Sequence, residues 1–232
     1  MLRYQIWPRR MKVLDSKKIS WENFYKENPY LNTFLLEEDL QGWVNSGAVM
    51  RDLIKEIKPK IIVEVGCWKG LSTLFMANCL KKYNLLDSRI IAIDSWSGSL
   101  EHWDKSSSYF DELKIINGRP SIYQIFMSNV LKRNYDNVII PLPLPSTTAS
   151  RLLRREEIQP NLIYIDGSHE YKDVLRDLED YFPLLAQGGV LFGDAFSMSG
   201  VNLAVNQFID ENPSVVLKFV EPCYFVLKEG IK

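Results

Sequence analysis

The chain is poor in the residues that build disulfide frameworks and metal clusters. Its three cysteines, Cys67, Cys79 and Cys223, are odd in number and irregularly spaced, which argues against a disulfide framework and against a zinc site. Reduced thiols in a cytoplasmic protein are therefore expected. No apolar run approaches the roughly 20 residues that cross a membrane. The N-terminal stretch MLRYQIWPRRMKV also lacks the apolar segment of a signal peptide.

The chain also has no excess of positive charge. It contains 28 lysines and arginines against 29 aspartates and glutamates, so its net charge is −1. A protein that binds duplex nucleic acid normally carries a strong basic excess, because it must neutralise phosphates. We therefore expect neither a nucleic acid nor a membrane as partner.

What the sequence does contain is a regular alternation of apolar, β-branched segments with segments of helical period. The predicted strands cover residues 60–65, 89–94, 137–142, 161–166, 188–195, 215–220 and 223–228. The predicted helices cover residues 42–57, 71–83, 121–134, 146–157, 171–182 and 201–212. A serine/threonine cap is expected to open the helix at 146–157. This alternation predicts an α/β fold with a mostly parallel sheet, closed by a C-terminal antiparallel hairpin.

Two segments stand apart from the alternation. Residues 1–40 are aromatic but weakly periodic, and we interpret them as an N-terminal arm ahead of one domain at 41–232. Residues 95–120 are polar with scattered aromatic side chains, and we interpret them as a lid or substrate loop. His102 lies in this insertion and has two interpretations, a contact with the substrate or, as the favoured one, a position on the unstructured surface.

Acidic residues stand at the ends of four predicted parallel strands. They are Glu64, Asp94, Asp166 and Asp194, and His169 follows the third of them closely. Ligands bind outside the carboxyl ends of the strands in an open parallel sheet. A buried carboxylate without a partner is costly, so four acids at equivalent ends favour a ligand site over packing.

The first of these strands continues into the motif EVGCWKG, at residues 64–70. Gly66 and Gly70 would let a ligand approach the backbone before the next helix begins. A dinucleotide fits poorly, because the motif is not G-x-G-x-x-G and Glu64 would face the pyrophosphate. A zwitterion joined to a nucleoside fits better. The helix N-terminus would then meet its carboxylate, Glu64 its ammonium group and Asp94 its ribose.

Several motifs carry a family resemblance. The segments EVGCWKGLST, AIDSW, DGSHEY and LLAQGGVLFGD resemble the class I S-adenosylmethionine-dependent methyltransferases. More narrowly, the chain resembles the branch of macrocin O-methyltransferase and the cephalosporin hydroxylase-like proteins, over roughly residues 40–228. The resemblance implies a Rossmann-like, doubly wound, seven-stranded, mostly parallel sheet, and S-adenosylmethionine as cofactor.

The resemblance also assigns roles to the candidate residues. It implies that His169 is the general base and that Asp166 lies in the catalytic centre. The residues that it places around the cofactor are Glu64, Gly66, Gly70, Ser72, Asp94, Trp96, Ser146 and Asp166. Of these, Trp96 or Ser146 would lie near the adenine. In metal-dependent members, acids at the positions of Asp166 and Asp194 help to hold magnesium. Ala195 stands where many members have a further ligand, so the sequence leaves magnesium open.

The sequence therefore predicts an O-methyltransferase that acts on a hydroxyl group of a sugar or another small metabolite. The main alternative is a catalytically degenerate methyltransferase-fold binding protein, which Ala195 favours. A nicotinamide-dependent oxidoreductase is opposed by the glycine spacing. The hydroxylase name of some relatives has no support, because two histidines in all, His102 and His169, provide no convincing 2-His-1-carboxylate iron set. The acceptor and the formation of a homo-oligomer stay open.

Overall fold

The structure, a computed structural model, describes residues 18–228. Part of the predicted arm, residues 1–17, lies outside the described residues. The strands β1 to β7 are Ile61–Val65, Arg89–Asp94, Ile139–Pro143, Leu162–Ile165, Val190–Gly193, Val215–Val220 and Cys223–Lys228. The helices α1 to α7 are Gly47–Ile57, Leu71–Lys82, Tyr109–Glu112, Ile122–Lys132, Ser146–Arg155, Tyr171–Tyr181 and Ser199–Glu211.

The seven strands form a single sheet in the order β3-β2-β1-β4-β5-β7-β6. Strands β1 to β5 are parallel, and β7 is antiparallel to both of its neighbours, β5 and β6. The predicted seven-stranded, mostly parallel sheet with its C-terminal hairpin is therefore confirmed. The chain order reverses at β1, which lies between β2 and β4, and ligands bind at such a switch point.

Helices cover both faces of the sheet, as its apolar strands require. Alternate residues of β1 enter different cores, since Ile62 packs with α1, α2 and α4 whereas Val63 packs with α5, α6 and α7. Every residue of β1 is buried, including Glu64. This double cover explains why the strands are apolar nearly throughout.

Two details of the predicted helices were wrong. Helix α5 has Pro145 at the N-cap position and no side-chain cap, so the expected serine/threonine cap is absent there. Helix α1 begins at Gly47, which leaves Trp43 in the segment before it. Within residues 18–228, no helix combines the length and the apolar character needed to cross a membrane.

The described part of the predicted arm packs along the edge of the sheet. The hydroxyl groups of Tyr25 and Tyr30 donate to the carbonyl groups of Pro141 (2.5 Å) and Ile139 (2.9 Å) in β3. An edge strand offers unpaired backbone groups, and these tyrosines satisfy two of them. The insertion at 95–120 contains a short 3₁₀ helix at Leu100–Trp103 and the single turn of α3. The roles of both segments stay predictions.

Candidate active site

A cavity of about 730 Å³ opens at the carboxyl ends of the parallel strands. Its walls come from the segment before α1, from the loops that follow β1, β3 and β4, and from the insertion at 95–120, which follows β2. The switch point of the sheet therefore carries a cavity, as expected for an open α/β fold.

The two glycines of the loop after β1 have different functions. Gly66 lines the cavity with φ +88°, and a Cβ atom on it would lie 2.2 Å from the carbonyl oxygen of Asp166. Gly66 thus allows the loops after β1 and β4 to touch. Gly70 is the left-handed N-cap of α2, and its missing side chain would meet the ring of Phe126. Gly70 is not among the described residues that line the cavity, so its predicted contact with a cofactor does not fit.

Asp94 lines the cavity and shapes the same loop. Its Oδ2 accepts hydrogen bonds from the backbone amides of Cys67 and Trp68, both at 2.9 Å. Its Oδ1 accepts from the amide of Trp96 at 2.7 Å. Burial raises the pKa of Asp94 above its ordinary value, and these three amides oppose that shift. A carboxylate has about four lone-pair sites, so Asp94 retains capacity to accept from a ligand hydroxyl group.

The side chain of Glu64 lies inside the protein and not in the wall of the cavity. Its side chain is fully buried, and it is not among the described residues that line the cavity. Its carboxyl oxygens accept hydrogen bonds from the hydroxyl groups of Ser72 (2.5 Å) and Thr73. The expected direct contact with a ligand ammonium group therefore does not fit this placement. Glu64 instead ties the first turn of α2 to β1, and it orients Ser72, which does line the cavity.

This burial makes Glu64 a source of pH-dependent stability. Burial raises its pKa from 4.5 to about 7. Between these values the folded chain binds more protons than the unfolded chain, so the contribution of Glu64 to the free energy of unfolding falls as pH rises. We expect Glu64→Gln to be more stable relative to wild type at pH 8 than at pH 5. Urea denaturation at both values measures this, and an equal difference at the two pH values would contradict it.

The two residues predicted near an adenine separate in the structure. Trp96 is 3% exposed, its ring packs against Tyr123 and Phe126, and its Nε1 donates to the carbonyl oxygen of Trp68 at 2.7 Å. It is a core residue outside the cavity, so the predicted cofactor contact of Trp96 does not fit. Ser146 lines the cavity as expected.

Sequence reasoning missed the partner of Ser146. The Ser146 hydroxyl group donates to Asp177 of α6, which is 6% exposed and also lines the cavity. Burial raises the pKa of Asp177 to about 7. One signal was available, because Asp177 lies between Val174 and Leu178 on the apolar face of α6. An acid on such a face is unusual and marks a buried polar site.

His169 and Asp166 come together after β4. The Nε2 atom of His169 lies 3.6 Å from Oδ1 of Asp166, and its Nδ1 atom lies 3.9 Å from Oε1 of Glu101 in the insertion. Within residues 18–228, neither ring nitrogen has a hydrogen-bond partner. The Asp166 carboxylate raises the pKa of His169, against burial, which lowers it. The other Asp166 oxygen accepts from Tyr164 at 2.6 Å.

The histidine is held in place by a close contact that the sequence does not reveal. A Cβ atom on Gly200 in α7 would lie 2.3 Å from the carbonyl oxygen of His169. Helix α7 therefore packs directly on the backbone of the loop after β4. The loop itself is short, and Ser168 accepts a hydrogen bond from the amide of Glu170 at 3.1 Å.

The proposed magnesium ligands do not form a metal site. Asp194 is buried, its Oδ1 accepts from the amide of Ala195 at 2.6 Å, and it is not among the described residues that line the cavity. In the described part of the chain, no group of three histidine, cysteine or acidic side chains is placed to hold a metal. Ala195 offers no ligand atom. The donor set of Asp166 and Asp194 therefore does not fit the six oxygen ligands of magnesium.

The insertion contributes an aromatic wall that the sequence left unassigned. His102 is half-buried and lines the cavity, and its ring lies 4.4 Å from that of Trp68 at an angle of 31°. Its Nδ1 accepts a hydrogen bond from the Ser99 amide at 3.2 Å. His102 therefore does not have the favoured surface position, and its contact with a substrate stays a prediction. Trp43, from the segment before α1, also lines the cavity, and its ring and that of His102 both contact the ring of Tyr109.

The charges around the cavity are mostly negative. Glu101, Glu170 and Asp173 are exposed acids in its wall. Among the described residues that line it, Arg176 is the one lysine or arginine, and its Nε donates to Asp180 at 3.0 Å. The cavity therefore offers a bound anion little free positive charge.

Comparison with known proteins gives the family. Residues 63–196, more than half of the chain, match the family described as "Methyltransferase domain". A Sinorhizobium fredii protein described as uncharacterised protein y4gI is 27% identical over 154 residues, which are 66% of this chain and 15% of that protein. The chain thus spans a small part of this relative.

Solved structures with a similar fold include the calicheamicin methyltransferase CalS11, at 19% identity and a TM-score of 0.58, over 80% of this chain and 77% of that one. An O-methyltransferase from Bacillus cereus in complex with SAH is 17% identical, with a TM-score of 0.57 over 84% of each chain. At these identities the likeness shows the fold. Together with the matched family, it shows that the chain belongs to the methyltransferase-domain family and has the class I S-adenosylmethionine-dependent methyltransferase fold.

Proposed function

We propose that the chain transfers a methyl group from S-adenosylmethionine to a hydroxyl oxygen of a sugar or another small metabolite. The observation that carries this proposal is His169, whose two ring nitrogens lack partners in the described chain and which lies beside Asp166 in the wall of the cavity. A histidine in such a position is suited to take a proton from an acceptor hydroxyl group.

The residues around the cavity fit the cofactor. The backbone of Gly66 to Trp68 and the N-terminus of α2 are suited to its carboxylate, Asp94 to its ribose hydroxyl groups, and Ser146 with Asp177 to the polar edge of a base. When bound, S-adenosylmethionine supplies a methyl group already activated on a sulfonium. The Bacillus cereus relative was solved in complex with SAH, which supports the same ligand here.

The charge of the cavity limits the chemical classes of acceptor that it can bind. CalS11 is described as a TDP-rhamnose 3′-O-methyltransferase, so its substrate carries a diphosphate. In this chain the acids Glu101, Glu170 and Asp173 would repel a diphosphate, and Arg176 is paired with Asp180. We therefore propose a neutral or amine-bearing acceptor, whose ring would pack on the aromatic wall of Trp43 and His102.

The second candidate is a binding protein of the same fold without catalysis. Ala195 and the poor fit of Asp166 and Asp194 to a metal favour it. The arrangement of His169 beside Asp166 opposes it, because a protein that only binds the cofactor has no need of a base in this position.

Isothermal titration calorimetry with S-adenosylhomocysteine, followed by methyl-transfer assays, tests the proposal. We expect saturable binding, and methylation of neutral glycosides or amino sugars but not of their phosphate esters. Binding without turnover on any acceptor would favour the non-catalytic alternative. Absence of binding heat with both S-adenosylmethionine and its demethylated product would contradict the proposal itself.

Partners and location stay predictions. A small-molecule acceptor, no nucleic acid, and a cytoplasmic location are consistent with the net charge of −1 and with three free, buried cysteines. Size-exclusion chromatography with light scattering would decide whether the chain forms a homo-oligomer.

A further inference from the structure

Lys69 is a fully buried cation in the loop after β1. Its side chain is 0% exposed, and its Nζ donates to Asp39 Oδ2 at 2.7 Å and to Glu112 Oε2 at 2.5 Å. We call these three residues the Lys69 junction. An ammonium group removed from water is costly unless it is paired, and here two carboxylates from distant parts of the chain provide the pairing.

The junction joins three separate segments. Asp39 belongs to the segment before α1, Lys69 to the loop after β1, and Glu112 to α3 in the insertion. Burial opposes ionisation of Asp39, but its hydrogen bonds to Lys69 and to the Gln41 amide outweigh burial and hold its pKa below the ordinary value. Asp39 is therefore expected to be charged at neutral pH.

Helix α4 anchors two of these segments. The side-chain amide of Asn129 donates to the carbonyl oxygens of Asp39 (2.7 Å) and Lys69 (2.8 Å). In addition, Trp68 Nε1 donates to Gln41 Oε1 at 2.8 Å. The segment before α1 and the loop after β1 are thus held by neutral hydrogen bonds as well as by charge, and the ion pair with Glu112 connects the insertion to them.

All three segments form walls of the cavity. Gly42 and Trp43 follow Asp39, Trp68 precedes Lys69, and residues 97–102 precede Glu112. Lys69, Asp39 and Glu112 themselves are not among the described residues that line the cavity. The junction is therefore placed to set the position of the walls without contact to a ligand.

We propose that Lys69 is a positioning residue that holds the segment before α1 and the insertion in place around the cavity, and thereby sets the affinity for the cofactor. This inference rests on the proposed function in one respect, namely the use of S-adenosylhomocysteine as the probe. The movement of the two segments is measured independently of any ligand.

The test removes the ammonium group and keeps the rest of the side chain close to its original size and shape. We expect Lys69→Met to weaken the binding of S-adenosylhomocysteine at least about tenfold, because misplaced cavity walls lose contacts with the ligand. Hydrogen exchange of the unliganded protein should become faster in residues 36–43 and 95–120. Lys114→Met is the matched control: Lys114 is exposed, its Nζ lies 3.8 Å from the same Glu112 oxygen, and its replacement should change affinity less than about twofold.

Two further variants test the two ion pairs of the Lys69 junction separately. Glu112→Gln should speed exchange in residues 95–120 while residues 36–43 stay protected, because the Lys69–Asp39 ion pair and the Asn129 hydrogen bond both remain. Asp39→Asn should speed exchange in residues 36–43. These variants also carry the test if Lys69→Met does not fold. Exchange that is unchanged in both segments, or an effect no larger than that of Lys114→Met, would overturn the proposal. If wild type does not bind S-adenosylhomocysteine, the proposed function fails, and the exchange data still decide the role of Lys69.

Discussion

Replacement of His169 by alanine is expected to slow methyl transfer by roughly 10²–10⁴-fold, the usual contribution of a general base. The affinity for S-adenosylhomocysteine should stay within about twofold of wild type, because removal of the ring leaves the loop after β1, Asp94 and Ser146 unchanged. Steady-state kinetics together with calorimetry on the same preparations make the measurement. A parallel loss of affinity and turnover would contradict the proposal and show a structural role.

The pH dependence of turnover should also reflect the ionisation of His169. His169 acts as a base in its neutral form, so turnover falls as pH drops below its pKa, which the Asp166 carboxylate raises above the ordinary 6.5. Asp166→Asn removes that charge. The variant should therefore have a lower pKa at His169, and the acid limb of its profile should move to lower pH. If the acid limb does not move, the group whose ionisation controls it is not His169.

The other histidine provides the contrast. His102 packs on Trp68 in the cavity wall and lies beside the Ser99 hydroxyl group, so its Nδ1 is already occupied. We expect His102→Ala to raise KM and to lower kcat far less than His169→Ala does. If both variants lost kcat equally, proton transfer could not be assigned to His169 on kinetics.

The sheet and its edge could be predicted because both depend on local pattern. Apolar β-branched runs, alternating with amphipathic segments, dictate a parallel sheet covered on both faces. The residues that follow each strand must then lie at one edge, which is why Asp94, Asp166 and His169 were found together. The topology needed no knowledge of side-chain direction.

The direction of individual side chains could not be predicted. Glu64 stands at the end of β1 as expected, but it points into the core where Ser72 and Thr73 satisfy it. Trp96, whose backbone is left-handed with φ +50°, likewise points into the core. A strand-end position fixes where the backbone lies and leaves two faces for the side chain.

Contacts between weakly periodic segments could also not be predicted from the sequence. Asp39 and Glu112 belong to the two segments in which no helix or strand was predicted, and nothing in the spacing pairs them with Lys69. The sequence signal that did exist, a lysine between the two glycines that follow a buried strand, does not identify its partners.

Gly66→Ala is expected to be the most damaging single change to the fold of the site. The residue has φ +88°, and the added Cβ atom would lie 2.2 Å from the Asp166 carbonyl oxygen and 2.5 Å from the Gly167 Cα atom. Both neighbours are backbone atoms, which cannot rotate away as a side chain can. Left-handed strain and overpacking together cost roughly 2–5 kcal/mol of the free energy of unfolding.

A second glycine allows the cost of backbone strain to be measured without the cost of a steric clash. Gly118 in the insertion has φ +75°, but a Cβ atom on it would meet nothing within 4 Å. Gly118→Ala should therefore cost about 1–2 kcal/mol, the strain alone. Urea denaturation of both variants measures the difference, and equal losses would show that the contact with Asp166 can relax.

The same collision should also impair ligand binding and catalysis. The clash pushes the loop after β4 away from the loop after β1, and this loop carries Asp166 and His169. Any Gly66→Ala protein that folds should therefore lose both S-adenosylhomocysteine binding and turnover, whereas His169→Ala loses turnover alone. The sequence suggests that Gly66 allows a ligand to approach the backbone. In the structure, the missing side chain of Gly66 is needed first for the contact between the loops after β1 and β4.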